Sequence, residues 1–200
     1  YLMTSKKLLS LLTLIIITVF NASYSYSIEP DVFVQSTVNR ASEALGSSLS
    51  KEEKIKELKK IASETVDVKG IGFYTLGGYR KNVNASQLVE YDALFEEYFL
   101  KSFASRLAEY SNPEIEVVSK KKLNENYTMV SSVLVSTEKR PEVKINWRIY
   151  TKDPKNLLIR DLIIEGLSLA RTQREEFSSI IQSNDGDINA LFVVLKKFNK

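Results

Sequence analysis

Ile159-Arg-Asp-Leu-Ile-Ile-Glu-Gly-Leu-Ser-Leu-Ala-Arg-Thr-Gln-Arg-Glu-Glu-Phe177 is the stretch whose reading decides the fold. Its first half has the apolar density of a strand, with Asp161 and Glu165 set four residues apart. Its second half, beyond Gly166 and Ser168, changes from a two-residue to a 3.6-residue hydrophobic period and reads as a helix. The spacing predicts a last strand over 157–169 followed by a helix over 172–181. On an unbroken strand the two carboxylates share one face, which would suit an acid/base pair. The competing reading is structural: carboxylates that accept backbone N–H groups or pair with Arg160, Arg171 or Arg174. Gly166 permits a bulge or bend.

Composition weighs against catalysis at that pair. The chain of 200 residues contains no His and no Cys. Disulfides, thiol chemistry, cysteine metal sites and a histidine general base are therefore absent from its repertoire. Ser168 has no base near it in sequence, so a nucleophile reading fails. No metal site and no resident cofactor is expected. A net charge of +3 is too small for a nucleic-acid partner, which calls for a concentrated basic face.

The N-terminal residues carry an address. Met3 reads as a start, Lys6 and Lys7 as a positive leader, and residues 8–20 as an apolar stretch. That stretch would span about 20 Å as a helix, short of the ~30 Å hydrocarbon core. Ser23, Ser25 and Ser27 supply small residues for cleavage. Residues 1–27 are thus expected to be a cleaved signal peptide and residues 28–200 one exported domain. Cleavage takes away two lysines and no acid, lowering the net charge from +3 to +1.

Upstream of the deciding stretch, four helices are expected. Pro30–Leu45 carries Val34, Val38, Ala41 and Leu45 at helical spacing. Ser50-Lys-Glu-Glu53 is a capping box for the second. Asp67 caps a short third that ends near Gly77-Gly78, and Asn84-Ala-Ser-Gln87 opens a long fourth that runs to Tyr110. The fourth has an aromatic stripe of Tyr91, Phe95, Phe99 and Phe103. The period then shortens. Strands are expected over 114–119, 127–137 and 143–150, with a lysine-rich turn over 120–126. Val143, Ile145, Trp147 and Ile149 face one side of the third. A final helix presents Ile188, Leu191, Phe192, Leu195 and Phe198. Four helices, four strands and two helices joined by short turns predict an α+β fold. Its centre is a curved four-stranded antiparallel meander, with about six helices on one face around an apolar pocket.

These motifs resemble a known family. Arg160-Asp-Leu-Ile-Ile-Glu-Gly-Leu-Ser-Leu169 with Arg174 and Phe177 is similar to the signature of the MlaC family, and Asp67 with Leu76-Gly77-x-Tyr79-Arg80 looks like a second element of it. Tyr79 stands where the family favours Trp, Trp147 where Tyr is usual, and Leu157 where Trp is frequent. The resemblance implies a periplasmic phospholipid carrier and no enzyme. Glycerophospholipid would be its cargo, shuttled between outer and inner membranes in support of outer-membrane lipid asymmetry. The implied partners are an outer-membrane lipoprotein–porin complex and an inner-membrane ABC transporter with a substrate-binding ring, met by a monomer. Pattern and resemblance together nominate Phe73, Leu76, Tyr79, Phe95, Phe99, Phe103, Val133, Val135, Ile145, Trp147, Ile149, Ile164 and Leu167 as pocket residues. Asp161, Glu165, Gly166 and Ser168 are expected to shape the fold. The alternative is a cone-shaped α+β enzyme of the isomerase or dehydratase type, with Asp161 as its base.

Overall fold

The computed structural model describes residues 27–111 and 113–200; the signal peptide expected over residues 1–27 lies almost wholly outside them. Every α-helix described after the first begins where a side chain takes over an otherwise orphaned N–H. Helix α1 spans Pro30–Gly46 with Pro at its start, where a missing N–H costs nothing. Helix α2 (Lys51–Thr65) opens on the expected Ser50/Glu53 capping box, and α3 (Val68–Thr75) on Asp67, whose side chain accepts the Gly70 N–H. A 3-10 turn over Gly77–Lys81 follows, entered through Gly77 at φ +56°. Helix α4 (Ala85–Leu107) opens on the Asn84/Gln87 box and stops three residues short of Tyr110. Its aromatic stripe forms a continuous column: Phe95 stacks on Tyr91 at 5.8 Å and on Phe99 at 5.9 Å, and Phe99 on Phe103 at 5.7 Å.

The sheet is a pure antiparallel meander of β1 (Ile115–Lys122), β2 (Tyr127–Leu134), β3 (Val143–Tyr150), β4 (Leu158–Ile164) and β5 (Leu167–Ser168). It has five strands rather than the four expected. The predicted last strand is cut by Glu165 at φ +49° and Gly166 at φ +84°, two successive left-handed residues that make a tight hairpin turn. Asp161 and Glu165 therefore do not form a pair. Asp161 is buried, whereas exposed Glu165 accepts the backbone N–H of Lys144. Strand β1 is longer than expected, because Lys120–Lys122 continue the ladder. Lysines suit an edge strand, and Lys120 is held at 2.7 Å by both Glu29 and Asp31. Beyond the sheet come α5 (Leu169–Gln182) and α6 (Ile188–Asn199), the latter capped by Asp187.

Alternation along β2 and β3 buries Thr128, Val130, Ser132, Leu134, Ile145, Trp147 and Ile149. These join Val34 and Val38 of α1, Tyr91 and Phe95 of α4, Phe177 and Ile181 of α5 and Leu191 and Phe192 of α6 in one core. Its few polar atoms are satisfied. The Trp147 Nε1–H donates to Ser132 Oγ at 2.8 Å, and that hydroxyl donates to the Ile145 carbonyl at 3.1 Å. Burial pushes the Tyr91 phenol well above its ordinary pKa, so it stays neutral; it donates to the Gly72 carbonyl at 3.1 Å and meets Thr75 Oγ1 at 2.7 Å. Helices α3 and α4 come this close because residue 72 has no side chain: a Cβ there would lie 2.7 Å from the Phe95 ring.

Asp161 ties the sheet to the start of α5. One carboxylate oxygen accepts the Ser168 hydroxyl at 2.6 Å and the other accepts the Ala170 N–H at 3.0 Å. Ser168 Oγ in turn accepts the Arg171 N–H at 3.1 Å, which starts α5 at Leu169, three residues before the predicted start. The carboxylate is thus the structural group that one of the two sequence readings described. Removing half of this clasp with Asp161→Asn should destabilise the chain by about 1–3 kcal/mol, since one buried donor then faces an amide N–H₂. Urea unfolding would show it as a lower midpoint with an unchanged slope. Gly72→Ala should cost about 1–3 kcal/mol by forcing the Phe95 ring from its place, and the same titration measures it.

Candidate functional site

The two sequence motifs, almost a hundred residues apart, meet at one end of the sheet. Asp67 lies beside the first, and Val66 bridges in parallel to Ile159, so the Asp67 N–H donates to the Ile159 carbonyl at 2.9 Å. One Asp67 oxygen caps α3, accepting the Gly70 N–H at 2.9 Å, and the other contacts Arg160 Nε as an ion pair. The Arg160 guanidinium lies over the Tyr150 ring, 4.6 Å from its centroid, and Nη1 donates to the Tyr127 hydroxyl at 3.3 Å. Arg174 lies over Tyr74 at 5.2 Å and against Gly77, where a Cβ would stand 2.9 Å from its Nε. Phe177 meets Phe95 edge-on at 6.1 Å. The family-like residues are thus a set of mutual contacts between β4, α3, α4 and α5.

A cleft of about 420 Å³ opens at this junction, within the ~300–1,000 Å³ usual for ligand sites. Gly70, Ile71 and Tyr74 of α3 and Ala170 of α5 wall one side; Leu123, Asn124 and Tyr127 at the β1–β2 turn, with Arg148, Arg160 and Asp161, wall the rest. The register of β3 against β4 slips here. Arg148 pairs with Asp161 but Ile149 pairs with Ile159, which leaves Arg160 as the extra residue of a bulge. Asp161 is poorly placed for chemistry. It is only 5% exposed and both its oxygens are engaged.

The residues nominated from the sequence fall into two groups. Leu76, Phe95, Ile145, Trp147 and Ile149 are buried in one cluster, and Tyr79, Phe99, Phe103 and Ile164 are half-buried against it. Leu76 and Ile149 are wholly inaccessible, so here these side chains fill the space between sheet and helices. The others lie elsewhere. Phe73 is exposed beneath the Arg80 guanidinium at 5.3 Å, and Leu167 is exposed on β5. Val133 pairs with Lys144, on the face opposite Trp147, and Val135 follows the end of β2. Sequence reasoning did not find the cleft. Arg148 read simply as an outward residue of an alternating strand, and a one-residue bulge at Arg160 leaves no mark on hydrophobic periodicity. Asp67 beside the cleft and Arg160 and Asp161 in its wall, all within the two motifs, were the available signal.

Among the described residues no helix is long and apolar enough to cross a membrane. A solved structure, the phospholipid-binding protein from Ralstonia solanacearum in complex with a phospholipid, has the same fold, with a TM-score of 0.72 over 86% of this chain and 97% of that one. The two are 17% identical. The profile of one family, described as MlaC protein, matches residues 35–197, a span that holds both motifs, the whole sheet and nearly all of the helices. The chain belongs to the MlaC family.

Proposed function

We propose that this chain is a periplasmic phospholipid carrier, moving glycerophospholipid between the outer and inner membranes. The observation that carries this reading is family membership across residues 35–197, on a fold shared with a protein that was solved holding a phospholipid. The physics supports it. Burying a CH₂ group is worth about 0.8 kcal/mol, so a ~16-carbon chain resists water by on the order of 13 kcal/mol. A lipid crossing an aqueous compartment needs an apolar shelter and no catalyst, which suits a chain without His or Cys.

In this reading the acyl chains lie between the sheet and the helices, against Phe95, Phe99, Phe103, Ile145, Trp147 and Ile149. Those side chains fill the interior in the structure described above, so loading parts the helices from the sheet. Leu76, Tyr79 and Ile164 border the same space, while Phe73, Val133, Val135 and Leu167 would contribute only at its margins. The cargo would be received from and delivered to membrane complexes, an outer-membrane lipoprotein–porin complex and an inner-membrane ABC transporter. The enzyme alternative loses its base, because the Asp161 carboxylate is committed to the start of α5.

The chain expressed with its leader in a Gram-negative host and purified without detergent should carry stoichiometric phospholipid in native mass spectrometry. A lipid-free protein that also takes up none from vesicles would sink the carrier reading. Phe99→Glu should lower lipid occupancy about tenfold by setting a charge in the apolar space, with the fold retained because Phe99 is only half-buried. Unchanged occupancy in a folded variant would remove Phe99 from the pocket.

A further inference from the structure

The arginine cleft is not explained by shelter for acyl chains. Arg148 is exposed and lines the cleft, yet it has no carboxylate within 4.0 Å among the described residues. Its partner across the strands is Asp161, the one acid in register to neutralise it. Both oxygens of that carboxylate are taken by the Ser168 hydroxyl and the Ala170 N–H. Arg160, the second guanidinium in the cleft, is fixed by Asp67, by the Tyr150 face and by the Tyr127 hydroxyl. The cleft thus holds one rigid arginine whose charge is balanced and one arginine whose charge is not. Ile71 and Leu123 supply apolar wall beside them.

We propose that this cleft binds the phosphate of a phospholipid headgroup, with Arg148 as its principal ligand and Arg160 as a fixed second donor. The proposal rests on the carrier reading and assigns the polar end of the cargo to a site of its own. A guanidinium offers paired donors that match two phosphate oxygens, and such charge-assisted bonds are the stronger kind. Asp161 also lines the cleft and is the one acid among its lining residues, but both its oxygens already accept donors from the start of α5. The apolar wall suits the ester end of a lipid better than a bare ion.

The test is calorimetric titration of the delipidated chain with dihexanoyl phosphatidylglycerol below its micelle concentration, with dihexanoylglycerol, and with inorganic phosphate. Arg148→Gln is a clean variant, because Arg148 holds nothing in the fold; its Tm should match that of the parent. Its affinity for the phosphatidylglycerol should fall tenfold or more, and its affinity for dihexanoylglycerol should not change. Equal affinity of variant and parent for the phosphatidylglycerol overturns the headgroup site and leaves the carrier reading standing. Inorganic phosphate that binds the parent as tightly as the phospholipid also overturns it, in favour of a free-phosphate site. If the parent binds neither acylated compound, the carrier reading falls, and this proposal with it.

Discussion

The Asp161 carboxylate does several jobs with two oxygens. It sits on the buried side of a bulged strand and receives the Ser168 hydroxyl and the Ala170 N–H from the chain that has just turned back past it. That pair of bonds fixes the hairpin at Glu165-Gly166, the stub of β5 and the first turn of α5 together. Once α5 starts at Leu169, Phe177 and Ile181 are placed in the core, and Phe177 closes the aromatic column on Phe95. A buried carboxylate is tolerable only when its hydrogen-bonding capacity is met, so the geometry has little freedom.

The same commitment leaves its mark on the surface. Because Asp161 is spent on α5, it is not available to Arg148, its neighbour across the ladder. The bulge that admits this arrangement also turns Arg160 into the cleft, where Asp67 and two tyrosines hold it. Asp67 in turn starts α3, which carries Gly72 under Phe95 and delivers Gly77 to Arg174. A chain of short polar contacts thus runs round the edge of an apolar interior. It sets where the helices sit on the sheet, and it would set how they part from it if lipid enters.

Much of this was legible without coordinates. The capping boxes at Ser50 and Asn84 and the cap at Asp67 mark helix starts through side-chain chemistry confined to a few residues. Alternation along Val143–Tyr150 identified the buried face of β3 correctly, and the aromatic stripe of α4 was visible at helical spacing. Where the reading failed, the cause was a backbone event that periodicity does not register. Two left-handed residues split the predicted last strand. A single extra residue at Arg160 altered which side chains share a neighbourhood. Arg148 was therefore unremarkable in sequence, the meeting of Arg160 with it was not legible, and Phe73 and Leu167, grouped with interior residues, are exposed.

The sequence by itself determined the element order, the α+β class and the family, because these rest on local periodicity, caps and short motifs. It also excluded histidine and cysteine chemistry outright. Only the tertiary structure decided the use of the Asp161 carboxylate, since its two donors come from beyond a turn whose φ angles no pattern specifies. Only the tertiary structure brought Asp67 to Arg160 and Gly77 to Arg174. Contacts between residues about a hundred positions apart depend on how whole elements pack, and packing follows from register and bulges rather than from any local run of side chains.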